Sequence, residues 1–178
     1  MNERIRTGPT VTVHIALLRA VNLPAHNKVA MSELRALATD LGFTEARTLL
    51  QSGNLVFRSD VTGVKLERVL ETEARKRLGL DTHFIVRTAR QWNAIVAGNP
   101  LPMEARQDPA HLVVMVCKDL VPKTVKITGA RREIVRPRGR EIYVYYPDGI
   151  GVSRLKIDVC GTARNWNTVL KLAALTGA

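Results

Sequence analysis

The stretch Arg47-Thr48-Leu49-Leu50-Gln51-Ser52-Gly53-Asn54-Leu55-Val56-Phe57-Arg58 decides the fold. Arg47 to Leu50 reads as a short strand, and Leu55 to Arg58 as its return. The Ser52-Gly53-Asn54 step between them has the chemistry of a tight turn. Helices flank this hairpin on both sides. Leu34, Leu37, Ala38 and Leu41 recur at i, i+3, i+4 and i+7, one apolar helix face. Ser32 is the expected N-cap and Gly42 the stop. Beyond the hairpin, Leu66, Leu70, Ala74 and Leu78 repeat every fourth residue. Outside both helices, the apolar, β-branched runs Val11 to Leu18 and Thr82 to Val86 read as strands. The order is strand, helix, strand, strand, helix, strand. Two crossovers joined by a hairpin predict a ferredoxin-like antiparallel sheet with both helices on one face, over residues 10–88.

Residues 89–178 read as a partial echo. Ala89 to Ala97 is helical, and Gly98-Asn99-Pro100-Leu101-Pro102 breaks the chain. His111 to Cys117 is an apolar strand, and a helix is expected from Val121 to Thr128. Arg132 to Arg136 and Glu141 to Tyr146 alternate as paired strands around the Pro137-Arg138-Gly139 turn. Gly149-Ile150-Gly151 precedes a further expected helix from Ser153. Thr162 is expected to cap a last helix, in which Trp166, Val169, Leu170 and Ala173 form the apolar face. The fold class is α+β: two ferredoxin-like βαββαβ halves, 10–88 and 89–178, packed as one unit.

Composition bounds the function. The chain has 178 residues, 27 Lys+Arg against 16 Asp+Glu, and a formal net charge of +11. Apolar residues make up 46%, enough for a core and too many for a disordered chain. Two cysteines do not make a disulfide scaffold, and no apolar run reaches the roughly 20 residues of a spanning helix. His14 interrupts the run Val11 to Leu18, and Arg19 and Asn22 follow it, so it reads as a buried strand rather than a leader. The expected compartment is the cytoplasm, with Cys117 and Cys160 reduced and no membrane partner. Basic charge concentrates at Lys123, Lys126, Arg131, Arg132, Arg136, Arg138 and Arg140, against Glu133 alone. Such a surplus favours anionic partners.

Residues of other chemistries lack the necessary company. His14, His26, His83 and His111 have no ligand at metal-binding spacing, and neither cysteine has a Cys-x-x-Cys partner, so no metal is expected. His14 and His83 sit in apolar strands and read as core histidines. Ser52 has no local base to make it a nucleophile. Gly149-Ile150-Gly151 lacks the third glycine and the parallel βαβ setting of a dinucleotide fingerprint. The densest polar group is Thr162-Ala163-Arg164-Asn165-Trp166-Asn167-Thr168, read as a helix N-terminus where free N–H groups and an always-charged guanidinium meet.

The runs Ala16-Leu17-Leu18-Arg19-Ala20-Val21-Asn22, Asn27-Lys28, Leu41-Gly42-Phe43, Gln51-Ser52-Gly53-Asn54 and Thr162 to Thr168 together resemble domain-of-unknown-function family 1697, a family of bacterial proteins. The resemblance extends from about residue 12 to 175. It implies two ferredoxin-like halves and no particular activity, cofactor or substrate.

Three functions follow as expectations. The first is binding of a phosphate- or nucleotide-like anion by Arg19, Asn22, Lys28, Ser52, Asn54, Arg164, Asn165 and Asn167. The second is nucleic-acid binding by Arg131, Arg132, Arg136, Arg138 and Arg140, although aromatics for base stacking are only 4% of the chain. The third is an enzyme of unassigned reaction using the polar end motifs. Arg164 is expected beside the 19–28 loop or the 51–54 turn, as a ligand site or as a latch between the halves.

Overall fold

The computed structural model describes residues 11–19, 30–50 and 53–177. The first half runs β1 (Thr12–Leu18), α1 (Met31–Asp40), β2 (Thr44–Leu49), β3 (Asn54–Ser59), α2 (Gly63–Leu78) and β4 (Phe84–Thr88). Its four strands pair antiparallel in the order β2-β3-β1-β4. Alternation along β1 divides the core in two. Ala16 and Leu18 face α1 and α2 with Leu55, Phe57, Phe84 and Val86, meeting Leu34, Leu37, Leu66, Leu70 and Ala74. Phe43 stacks on Phe57 at 4.6 Å within this layer. Ile15 and Leu17 face the other way, toward the second half.

Local chemistry sets the details. The N-cap of α1 is Ala30 rather than Ser32: the Glu33 carboxylate accepts the Ala30 N–H at 3.2 Å, which draws Met31 into the helix and puts Ser32 in the first turn. Gly53 takes φ +70°, and a Cβ there would stand 2.5 Å from Leu18 Cβ, so the turn needs glycine for both conformation and space. The outer edge of β4 is covered by side chains. Glu67 and Glu71, one helical turn apart on α2, accept the Val86 and Phe84 N–H groups at 2.9 and 3.0 Å. Four residues of helix and two of strand advance about equally, by roughly 6 Å, so both carboxylates meet the ladder in register. This covering keeps the edge from pairing with another chain.

The second half runs α3 (Ala89–Ala97), α4 (Pro102–Gln107), β5 (Leu112–Cys117), β6 (Ile127–Thr128), β7 (Ile134–Arg138), β8 (Glu141–Tyr145), β9 (Lys156–Ile157), β10 (Gly161–Asn165) and α5 (Trp166–Leu175). Its antiparallel sheet has the order β10-β5-β8-β7. The inner face joins Leu112, Val114, Val116 and Tyr143 to Ile15, Leu17, Val56 and Ile85 of the first sheet, with Trp92, Trp166, Val169 and Leu172 from the helices between. Trp92 Nε1 donates to Val169 O at 3.0 Å, and Tyr143 Oη donates to Ile95 O at 2.7 Å, so both large buried rings keep a partner.

Four sequence expectations are corrected here. No helix covers Val121 to Thr128 or begins at Ser153; in their place β6 and β9 pair as a two-stranded ribbon over the outer face of the second sheet. Pro122 and the β-branched Val121, Thr124, Val125, Ile127 and Thr128 disfavour helix. Leu155, Ile157 and Val159 pack at a period of two against the Val113, Ile142, Val144 and Tyr146 layer. Thr162 is not a cap either. It lies in β10, where Thr162, Arg164 and Trp166 turn inward alternately, and Asn165 caps α5 by accepting the Thr168 N–H at 2.9 Å. His83 precedes β4 and is exposed, with Nδ1 3.3 Å from Glu71 Oε1.

Candidate functional site

Two buried arginines cross between the sheets in opposite directions. Arg164, on β10, reaches the first sheet. Its Nε donates to Asn54 Oδ1 at 2.6 Å and its Nη2 to Leu18 O at 3.2 Å, while Nη1 bonds Thr162 Oγ1 and Ala163 O at 2.8 Å each. Asn54 is fully buried and donates in turn to Leu49 O at 2.9 Å. Burial pulls the Arg164 guanidinium down to about 10, still charged at neutral pH. Arg87, on β4, reaches the second sheet, donating to Cys117 O and to Glu141 Oε1, the latter at 3.3 Å. Burial pulls Arg87 down and the Glu141 carboxylate pulls it back up.

The first set of expected site residues divides accordingly. Arg164 and Asn54 meet, where β10 faces the start of β3. Arg19 directly follows β1: its N–H donates to His83 O at 2.9 Å and its carbonyl accepts from Thr82 Oγ1 at 2.6 Å. Asn165 is exposed and serves as the α5 cap, and Asn167 is exposed on α5. Asn22, Lys28 and Ser52 lie outside the described residues.

A different group of residues surrounds a cavity of about 580 Å³, formed by the start of α2 (Thr62, Gly63, Val64), the start of α3 (Thr88, Gln91), His14 of β1, and Lys118, Asp119 and Arg140 of the second half. Three features give it chemical character. His14 is fully buried in its wall, and neither ring nitrogen makes a hydrogen bond. Desolvation lowers the His14 pKa; the nearby Ser59 backbone opposes it weakly from outside hydrogen-bond geometry, and the ring favours its neutral form. The α2 cap, Thr62, makes no side-chain hydrogen bond to the first turn of the helix, at the cavity's edge. Lastly, Arg68 and Arg140 line the cavity without an ion pair to any described residue. The other cation is spoken for: Lys118 Nζ lies 2.6 Å from Glu71 Oε1 and 3.5 Å from Glu67 Oε2. Burial pushes the Glu71 carboxyl up, but Lys118 and the Phe84 N–H outweigh it and hold it below the usual range. Over the whole lining Arg68, Lys118 and Arg140 balance Glu67, Glu71 and Asp119, and the positive charge not engaged in ion pairs is that of Arg68 and Arg140.

Arg131, Arg132, Arg136, Arg138 and Arg140 are all exposed. They spread along the β7–β8 hairpin rather than converge. Arg132 pairs with Asp148 at 2.7 Å at one end, and Arg138 donates to Gly98 O, the C-cap of α3, at the other. Arg138 and Arg140 also border a second cavity of about 420 Å³ with Ala94, Ile95, Leu120 and Tyr143, which shares Gln91 and Arg140 with the first.

His14, Arg68, Lys118 and Arg140 have no spacing to reveal them, because four separate elements supply them. One signal was present: an ionisable ring in the middle of the apolar run from Val11 to Leu18 is costly unless partnered. Among the described residues no group of three or more His, Cys, Asp or Glu is placed to hold a metal ion, and no helix is long and apolar enough to cross a membrane.

The molecule is thus an α+β protein of antiparallel sheets with helices and a polar cavity lined by charges of both signs. It belongs to the protein family of unknown function DUF1697, whose model matches residues 11–143. Its fold is similar to that of the conserved bacterial protein SP0830 from Streptococcus pneumoniae, with a TM-score of 0.71 at 18% identity, over 94% of this chain and 99% of that one. No curated protein matches the chain.

Proposed function

We propose that the protein binds a small anionic, phosphate-like ligand in the cavity beside His14, on a scaffold of two halves, residues 10–88 and 89–178, with a shared ferredoxin-like strand order, the second carrying the β6–β9 ribbon in place of crossover helices. The observation that carries this reading is His14 itself. A fully buried imidazole with both nitrogens unpartnered costs stability, and such a group calls for a reason. A ligand oxygen in the cavity would supply the missing hydrogen bond, with Arg68, Arg140 and the α2 N-terminus balancing its charge. The Arg164–Asn54 group, whose described contacts are buried and mutually bonded, serves as a latch between the sheets. Free Cys117 and Cys160 fit the reducing cytoplasm expected for the chain.

The test is titration calorimetry and thermal shift with inorganic phosphate. Saturable stabilisation should appear, and Arg68→Ala and Arg140→Ala should each reduce it, since both arginines are exposed and their loss should leave the fold intact. No stabilisation at tens of millimolar phosphate would overturn the reading.

A second reading rests on the exposure of all five hairpin arginines. If they bind nucleic acid, retention in a filter-binding assay should fall steeply with salt as counterions are released. No retention at low salt removes it.

A further inference from the structure

We infer that the ligand is an organic phosphate with a flat apolar body, its phosphoryl group in the His14 cavity and its body in the adjoining cavity along α3. The inference rests on the anion-binding reading above and extends it. The His14 cavity, at about 580 Å³, has the volume of a site for a whole organic molecule, far more than one phosphate fills. The second cavity continues from it, because Gln91 and Arg140 wall both. The chemistry changes along the way. Helix starts, His14, Arg68 and the Lys118 ion pairs with Glu67 and Glu71 surround the first part, whereas Ala94, Ile95 and Leu120 line the second. Leu120 is 75% exposed, an apolar side chain left in solvent at the cavity edge.

The charged groups of the second cavity also suit an uncharged, planar body. Arg87 and Glu141, both lining it, are already paired with each other, so they place no unmet charge against the ligand. Arg138 is held by its bond to Gly98 O, and Arg140 stands two residues away across the β7–β8 turn. Guanidinium planes stack on aromatic faces, and a tethered one loses little freedom in doing so. Sequence alone could not join these parts, since α3, the loop after β5 and the β7–β8 turn each contribute separately.

The experiment compares inorganic phosphate, phenyl phosphate and 1-naphthyl phosphate by calorimetry on the full chain. Affinity should rise along the series, with the naphthyl ester binding at least tenfold tighter than phosphate. Leu120→Asn, an uncharged change at an exposed position, should remove most of that gain and leave phosphate affinity unchanged. Arg140→Ala should weaken all three. If phosphate binds and the esters bind no tighter, the two-cavity ligand is wrong and anion binding stands. If the esters gain but Leu120→Asn leaves the gain untouched, the body lies elsewhere and the inference fails. If none of the three binds, both readings fall together.

Discussion

Arg164 Nε lies 2.6 Å from Asn54 Oδ1, a bond between residues 110 positions apart that ties β10 of the second sheet to β3 of the first. Both partners are buried, and the guanidinium also holds Leu18 O at the end of β1. Removing either side leaves polar atoms unsatisfied where water cannot easily replace them. Asn54→Ala and Arg164→Ala are each expected to destabilise by about 1–3 kcal/mol in urea unfolding. The double variant should cost less than the sum, because the second change removes a group the first has already orphaned. Phosphate affinity should not change. If either variant kept full stability and lost phosphate binding, Arg164 would be a ligand residue and not a latch.

Arg87 performs the reciprocal crossing, from β4 to Cys117 O and Glu141, and is only 4% exposed. A broken buried ion pair is worse than none. Arg87→Met alone is expected to cost about 3–5 kcal/mol, since Glu141 is left largely buried and unpaired. Arg87→Met with Glu141→Leu should recover much of that loss. A double variant as unstable as the single one would show that the Cys117 carbonyl, and not the carboxylate, is the contact that matters.

The first half was largely legible because its signals are local. Leu34, Leu37 and Ala38, and Leu66, Leu70 and Ala74, fall on the buried faces their spacing announces. The ribbon of β6 and β9 is hard to read because Gly149-Ile150-Gly151 and a few spaced apolar residues mimic a helix start, while only Leu155, Ile157 and Val159 carry the strand alternation. The Thr162–Thr168 motif is dense in polar groups, and its density alone suits a helix N-terminus as well as a strand. Its inward residues Thr162 and Arg164 alternate with exposed Ala163 and Asn165, the mark of a strand. Arg68, Lys118 and Arg140 could not be grouped from sequence, since only the folded chain, with Lys118 paired to Glu67 and Glu71 of α2, brings them to one cavity.

Acid should weaken the fold through carboxylates held below their usual range. Glu71, whose burial raises it, is lowered overall by Lys118 and the Phe84 N–H, and Glu133 is brought to about 2 by Ser153 and the N–H groups of Arg131 and Arg132. For each, the native state binds its proton less readily than the unfolded chain. Their contribution is therefore present above the ordinary value of 4.5 and disappears as pH falls toward 2. Urea midpoints should decline through this window. Glu133→Gln, tested in parallel, should flatten the decline; an unchanged slope would mean the Ser153 contact does not persist in solution.

His14 gives the sharpest separation of stability from function. In the native protein its ring is fully buried, makes no hydrogen bond and packs 5.7 Å from the Phe57 ring. If the fold alone determined this position, an apolar ring would serve it better. His14→Phe is accordingly expected to raise stability by about 1–3 kcal/mol, through loss of two unsatisfied polar atoms and a better contact with Phe57. The cavity beside it leaves room for the larger ring. The sign of the pH effect follows from the lowered pKa. The unfolded chain takes up the His14 proton more readily, so this residue's contribution falls as pH drops below its ordinary value of 6.5. In His14→Phe that part of the decline should vanish. The same substitution should abolish the phosphate-induced thermal shift, because the ring nitrogen that meets the anion is gone. A variant that is less stable than the parent, or more stable with its phosphate response intact, would sink the assignment of His14 to the ligand.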